Sequence, residues 1–506
     1  MEHYQIFDSS NLTPKSFASC LASLIVFAIL SKLVYNVYFH PLAAYPGPLS
    51  LVISDIPLAC YALLGISHYR LKEAHEKYGQ VVRVAPGTLS YIKPEAWNDI
   101  YGHKKDGGGR AQLPKDPLFY NEMLMSKDAI THVNDDDAIP IRRSLNSAFA
   151  HRSLLEQEPM MQRHIGQLIE QLEERSKDGT PVDMQKWLTF SMFDINSEFG
   201  FGDDMGCVKA GAYHQWVEFV LAFFYAATVL HQCHKFWPLN RVLALCMPPS
   251  MRKMQTGHNE VSLERARKRI ASKTDKHDFM YYFMQQAKKE NLSTKTIEAQ
   301  ASVLILAGSE PSAVAEVAVI HDILSHPGTY QKVRDEVRSL FSTVDAIRLI
   351  DVTGQLPYLD AVLKESLRLH PPLPNGLTRW VSEKDGAFIC GQHVPFGTVV
   401  SVNHYCASTS PTNFRNPEAF APERWMGDPK YADDNRHVVQ PFSVGPRNCP
   451  GQKFALYGIK LTLAHLLWRF DLSLGEGTDR WAIGQRVYNG WIQPPLPIIL
   501  KKRPTS

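Results

Sequence analysis

A single cysteine, Cys449, sits in the run Phe442-Ser443-Val444-Gly445-Pro446-Arg447-Asn448-Cys449-Pro450-Gly451. Turn formers surround it, and a helix from about Lys453 to Phe470 is predicted directly after it. The sulfur therefore meets a helix N-terminus, where backbone N–H groups and the positive end of the dipole favour a thiolate. Gly445 and Gly451 permit close backbone approach to a flat ligand. Arg447 adds a cation whose planar fork suits a carboxylate. A thiolate in a tight, hydrogen-bonded loop can ligate haem iron and push electron density toward the opposite side. A buried structural cysteine is the competing reading of a lone thiol.

A second constellation is Ala307-Gly308-Ser309-Glu310-Pro311-Ser312, in the middle of an apolar segment over 296–325. Gly308 would thin the helix and leave room for a diatomic ligand or water. Glu310 beside the hydroxyl of Ser312 could shuttle protons. Pro311 donates no hydrogen bond and frees a carbonyl one turn earlier. Further on, Glu365 and Arg368 stand three apart, which puts both on one helix face. By itself that spacing also describes a surface ion pair of little worth.

These groups need a scaffold, and the sequence predicts a mostly helical one. Long amphipathic runs occupy 153–176, 259–289, 329–341 and 357–370, and 296–325 is apolar on most faces, as a helix buried through a domain would be. Residues 78–93 read as two short strands joined by Pro86-Gly87, and 374–402 carries strand and turn signals. No internal repeat or inner linker divides the chain after residue 50. The 506 residues are 44% hydrophobic, 21% charged and 10% aromatic, which excludes disordered and fibrous classes. A net charge of +3, from 54 basic and 51 acidic residues, gives no basic excess for nucleic acid. Eight cysteines form no CxxC pair, so neither a disulfide framework nor a zinc site is expected. Phe17 to Phe39 holds one charge, Lys32, and is long enough to cross a bilayer. A Pro-rich hinge, residues 40–50, follows. The basic residues after the span favour a cytosolic body, which would leave the Asn11 sequon on the lumenal side.

Taken together, the motifs resemble those of the cytochrome P-450 family. F-x-x-G-x-R-x-C-x-G matches at every fixed position. Glu365-Ser366-Leu367-Arg368 is similar to the family's E-x-x-R, and Pro422-Glu423-Arg424-Trp425 to its P-E-R-F, with Trp for Phe. His40-Pro41-Leu42, Tyr45-Pro46-Gly47-Pro48, Tyr101-Gly102-His103-Lys104 and Glu156-Gln157-Glu158-Pro159 resemble a fungal microsomal group that includes trichothecene 15-hydroxylase-like enzymes of secondary metabolism. The implied fold is mainly α with small β-sheets behind a single N-terminal transmembrane helix. Its implied parts are a lumenal stretch (1–16), an anchor (17–39), the hinge (40–50) and a haem-thiolate catalytic domain (51–506).

The resemblance also implies roles. Cys449 would ligate the iron of haem b (iron protoporphyrin IX). Phe442, Gly445, Gly451, Arg142, Arg379 and Arg447 would hold the cofactor, and Glu310 and Ser312 would serve catalysis. Glu365, Arg368 and Arg424 would form a structural cluster behind the haem. Val303, Leu304, Ala307, Pro374 and Leu377 would line the pocket for a small apolar substrate, with 100–125 and 216–237 as access segments. Two departures stand out. Ala138 occupies the Trp position of W-x-x-x-R, which leaves Arg142 against Arg143 open, and Pro311 replaces the family's Thr. The implied reaction is hydroxylation or oxidation with molecular oxygen. Its electrons would come from NADPH through a membrane-bound cytochrome reductase, with cytochrome b5 as an optional second donor, at the endoplasmic reticulum membrane facing the cytosol. The reductase would dock near Arg142, Arg143, Arg152 and Lys453. Pro311 keeps open an isomerase, dehydratase or coupling catalyst that inserts no oxygen.

Overall fold

The computed structural model describes residues 14–103, 112–121, 126–236, 240–241, 249–272, 274 and 276–504. Helix α1 (Pro14–Val34) runs on through a π turn, Tyr35–Phe39. The span Phe17–Phe39 has a mean hydropathy of 2.2, and its most apolar stretch is unburied, only Asn36 near its end being enclosed by the body. It is long and apolar enough to cross a membrane. The Asn11 sequon lies outside the described residues. The start of the body is pinned rather than loose: Arg83, fully buried, donates to the Asn36 and Pro86 carbonyls, and Asn36 donates to the Ile53 carbonyl at 2.8 Å.

The helices that position the site are α2 (Asp135–Ala148), α3 (Met184–Phe201), α4 (Gln215–His234), α5 (Thr294–Ser325), α6 (Pro357–Leu369) and α7 (Gln452–Arg469). Asn134 caps α2 by accepting the Asp137 N–H at 2.8 Å, so the helix begins ahead of Pro140. Helix α5 has 32 residues, also long and apolar enough for a membrane, but 83% of its apolar window is buried inside the protein. It packs most extensively along α3. Two expected helices are split. The run 153–176 breaks at Gln157, ahead of Pro159, and 259–289 breaks between Ala271 and Asp278, whose carboxylate caps the next helix.

The sheets are small. Strands β1 (Val81–Ala85) and β2 (Thr88–Tyr91) form the expected hairpin. The short β3 (Val182–Asp183) lies elsewhere. Strand β4 (Arg379–Trp380) borders β7 (Val399–Val402), which runs parallel to β2, giving the order β1-β2-β7-β4. The hairpin β5–β6 (Ala387–Ile389, Gln392–Val394) stands apart. Strand β8 (Phe470–Leu474) follows α7, β9 (Arg486–Tyr488) and β10 (Gly490–Ile492) form a tight hairpin, and β11 (Pro497–Lys502) joins β3 and β8. One hydrophobic core gathers α2, α3, α5, α6 and α7, and a second lies under the β1-β2-β7-β4 sheet.

Candidate active site

The loop before α7 is closed by its own backbone. The Cys449 N–H donates to the Phe442 carbonyl at 2.8 Å, and Gly445–Arg447 make one 3-10 turn. Gly445 has φ +73°, and a Cβ there would lie 2.0 Å from the Tyr101 carbonyl oxygen. Glycine is therefore required by the close approach of the Tyr101 segment. The Gly451 N–H points at the Cys449 sulfur. Burial nevertheless pushes the thiol up, with the Gly451 N–H and the Arg142 charge offsetting only part of it. Yet the residue is open to solvent. The sulfur is thus hemmed in by protein on several sides and still open to a ligand.

Cations gather around this loop. Arg142 donates to the carbonyl and side-chain oxygens of Asn448, whereas Arg143 points outward to Glu290 at 3.4 Å. Geometry thus selects Arg142 as the arginine next to the sulfur and removes it from the solvent-facing group. Arg143, Arg152 and Lys453 remain exposed. Arg447 spends its fork on the segment before α2, reaching Asp135 Oδ1 (2.9 Å) and the carbonyls of Ile130 (3.1 Å), Val133 (3.0 Å) and Asn134 (2.6 Å). Arg379 is buried, donates to the Tyr120 hydroxyl at 2.8 Å and, among the described residues, leaves its Nε without a partner. Lys115, unremarked in the sequence, donates to the Ile130 and Thr131 carbonyls at 2.9 and 2.7 Å. Burial, then Arg447 and Arg379, push its amine down to about 6.

Helix α5 presents two distinct stripes. Leu304 and Gly308 face α3: a Cβ on Gly200 would lie 3.0 Å from Leu304 Cδ2, and one on Gly308 would lie 2.5 Å from Asn196 Oδ1. Gly308 makes room for the Asn196 side chain, and Leu304 packs toward Gly200 of α3. Ser312, one turn on, shares that stripe and donates back to the Gly308 carbonyl at 2.8 Å. The other stripe holds Val303, Ala307, Glu310 and Val314. Ala307 is exposed in mid-helix, Val303 packs on Ala129, and Val314 packs on Val487 and Trp491 of the β9–β10 hairpin. The Glu310 carboxylate lies against that hairpin, its oxygens 3.2 and 3.3 Å from where a Gly490 Cβ would be. Burial raises its pKa to about 8, so it keeps its proton at neutral pH. Pro374 is buried, its carbonyl accepting the Tyr405 N–H, and Leu377 is half-buried, its carbonyl accepting from Tyr101 Oη at 2.6 Å. Of the access segments, 104–111, 122–125 and 237 lie outside the described residues. In the remainder, Tyr225 of α4 meets Tyr488 of β9 edge to face.

The family model for cytochrome P450 matches residues 55–501. The chain belongs to the cytochrome P450 family. It is 41% identical over 485 residues to the cytochrome P450 monooxygenase astD of Aspergillus oryzae, covering 96% of this chain and 94% of that one. It is 35% identical to the monooxygenase atr2 of Stereocaulon alpinum (99% and 98% covered), and 35% identical to the trichothecene C-15 hydroxylase of Fusarium sporotrichioides (93% and 95% covered). P450 membership brings a haem-thiolate cofactor, oxygen as co-substrate and electrons from a redox partner, and it makes the protein a haem-thiolate monooxygenase. The side chains fit that cofactor. Cys449 offers an accessible sulfur with one N–H aimed at it, and the buried Arg379 has a guanidinium nitrogen without a partner among the described residues, as suits a group bearing carboxylates.

The cluster behind the P450 loop is dry and dense. Glu365, Arg368 and Arg424 are all 0% exposed. Arg368 holds Glu365 bidentately at 2.8 and 2.9 Å, and Arg424 Nε reaches it at 3.2 Å. Arg368 also donates to the carbonyls of Ser408, Pro417 and Ala419, tying α6 to the 408–421 segment. Two members were missed from sequence. Asp434 pairs with Arg424, balancing the charges, and Trp425 Nε1 donates to Glu365 at 2.8 Å. The Trp-for-Phe departure is thus an added hydrogen bond, a signal readable only once Glu365 was known to face that turn. Elsewhere in α5, Glu316 is fully buried and, among the described residues, its carboxylate oxygens have no hydrogen-bond partner of ordinary geometry. The Thr462 hydroxyl of α7 is nearby.

Proposed function

We propose that this P450 is a membrane-anchored monooxygenase that hydroxylates or otherwise oxidises an apolar small molecule in fungal secondary metabolism. The observation that carries the reading is Cys449: an accessible sulfur with the Gly451 N–H directed at it, on the loop that all the family's fixed positions mark. The haem would bind to that sulfur and supply oxygen activation. Arg142 braces the loop at Asn448. Phe442 closes it through its carbonyl, and Gly451 directs its N–H to the sulfur. Glu310, protonated at neutral pH, holds a proton on the stripe shared with Ala307 and Val303. That stripe and the wall at Leu377 would bound an apolar substrate.

Electrons would come from NADPH through a membrane-bound cytochrome reductase, with cytochrome b5 as an optional second donor. Arg143, Arg152 and Lys453 would provide the docking charge. The anchor at 17–39 and the hinge at 40–50 support residence in the endoplasmic reticulum membrane, single-pass, with the catalytic domain of 51–506 in the cytosol. The test is the reduced protein under carbon monoxide, which should show the Soret band of sulfur ligation, followed by product analysis under labelled oxygen with reductase present. A folded, pigment-loaded protein without that band would refute the reading.

Pro311 favours a second reading. No hydroxyl stands at that position, and Ser312 is turned toward α3, so a reaction that needs no oxygen insertion (isomerisation, dehydration or coupling) would make lighter demands on proton delivery. Unlabelled product would decide for it.

A further inference from the structure

We propose that Ser272 is a phosphorylation site, taken by a protein kinase that recognises arginines ahead of its acceptor, and that the phosphate loosens the joint between the helix Pro249–Ala271 and the helix Phe279–Lys289. None of the residues that carry the haem reading takes part. Meeting a cytosolic kinase rests on the cytosolic placement proposed above.

The acceptor and its approach are both present. The run before the hydroxyl is Arg265-Ala266-Arg267-Lys268-Arg269-Ile270-Ala271, which puts arginines three and five positions ahead of Ser272 and a lysine four ahead. Guanidinium groups are planar and always charged, so the carboxylates of such a kinase can hold them bidentately. The chain leaves the helix at Ser272, in the break that interrupts the amphipathic run 259–289, and Ala271, Ser272, Thr274, Lys276 and His277 are exposed. Arg267 and Lys268 are exposed as well. Arg269 is enclosed, and reaching it takes the fraying of the last helical turn.

That same arginine gives the phosphate its effect. Arg269 donates Nε and Nη2 to the two oxygens of Asp278, both at 2.8 Å, and Nη1 to Ser272 Oγ at 3.2 Å. The Ser272 hydroxyl donates to the Arg269 carbonyl at 2.7 Å. Asp278 also accepts the Tyr281 N–H at 2.9 Å, which caps the next helix. The arginine stem rests on Gly202, the C-cap of α3, where a Cβ would lie 2.9 Å from Arg269 Cδ. One guanidinium therefore joins the ends of three helices. A phosphate brings a charge of about −2. On Ser272 it would compete with Asp278 for Arg269, repel that carboxylate, and place negative charge at a helix C-terminus. Lys276, the other cation at the joint, donates to the Gly202 carbonyl at 3.0 Å and lies 3.5 Å from Glu198. The helix Pro249–Ala271 packs on α4 and α5, so a loosened end bears on both.

The step is phosphoryl transfer from ATP. The bond from Ser272 Oγ to the γ-phosphorus forms as the bond from that phosphorus to the bridging oxygen breaks. ADP leaves, and the hydroxyl proton passes to the catalytic carboxylate of the kinase and then to solvent.

The experiment incubates the full-length protein in detergent with ATP and protein kinase B and locates phosphate by peptide mass spectrometry. Wild type should carry one phosphate at Ser272, and Ser272→Ala none on that peptide. Arg267→Gln, an exposed change, should slow uptake about tenfold, as expected on losing a hydrogen bond between charged groups. Hydrogen exchange of the peptide holding Tyr281 should quicken about tenfold on phosphorylation, for the same loss at Asp278. No phosphate at Ser272, or uptake by Arg267→Gln at the wild-type rate, overturns the site. Phosphate at Ser272 with unchanged exchange at Tyr281 overturns the joint. A missing sulfur-ligated band under carbon monoxide would sink the haem reading and leave these readouts to decide this one.

Discussion

Replacing Glu365 by Gln isolates what the buried cluster contributes. The carboxylate collects five N–H donors: two from Arg368, one from Arg424, the Ala421 backbone at 3.0 Å and the Trp425 indole. Glutamine keeps the shape but not the charge. Two buried guanidinium groups would then share Asp434 alone, leaving one uncompensated cation in a dry site. Breaking a buried pair in this way costs about 3–5 kcal/mol, against a total stability of about 5–15 kcal/mol. Trp425→Phe removes only one charge-assisted hydrogen bond and leaves the charges balanced, so it should cost about 1.5–3 kcal/mol. The assay is denaturant unfolding of the full-length protein in detergent, followed by far-UV circular dichroism, with the haem-loaded fraction recorded alongside. Glu365→Gln should be the worse of the two in both readouts. A cost below about 1 kcal/mol, or Trp425→Phe equalling Glu365→Gln, would refute the argument that charge balance holds the loop.

Three further outcomes follow from α5. Glu310 is an acid raised to about 8 by burial, so turnover that depends on its proton should fall as pH rises through that value, and Glu310→Gln should lose this limb; a limb that persists in the variant would assign it elsewhere. Burial lifts Glu316 well above 4.5, so the folded protein keeps a proton that the unfolded chain releases, and stability should decline as pH climbs past 4.5. Glu316→Leu should abolish that slope and gain about 1–3 kcal/mol at neutral pH, measured by unfolding against pH; an unchanged slope would count against it. Ser312→Ala should leave turnover and product yield essentially as in wild type, since its hydroxyl is bound to the Gly308 carbonyl on the α3 side, and a tenfold fall would show that the hydroxyl serves the reaction after all.

The parts of the site that sequence made legible are those whose spacing is local. The thiolate loop, the Glu365–Arg368 pair and the course of α5 each follow from a contiguous pattern, and all three stand where that pattern put them. What eluded it depends on which way a helix faces and on partners distant in the chain. The resemblance implies a pocket role for Leu304, and Gly308 is expected to leave room for a diatomic ligand or water; what the pattern could not show is that a rotation of 100° per residue sets both against α3. Arg142 could be told from Arg143 only by seeing Asn448. Lys115 and Asp434 carry no motif, and each acquires meaning from a cation ten or more chain positions away. The breaks at Gln157 and after Ala271 were hidden because amphipathic periodicity continues across a short interruption.

Tyr101 joins two surfaces that an engineer would want to treat apart. Its carbonyl is pressed against Gly445 in the sulfur-bearing loop, while its hydroxyl holds the Leu377 carbonyl and receives the Val402 N–H at 3.2 Å. Reshaping the wall at 374–377 to admit a bulkier guest therefore pulls on the same residue whose backbone seats the loop. Variants chosen only for a new substrate would lose pigment as they gain room, and a screen that counts bound colour before counting product would separate the two effects.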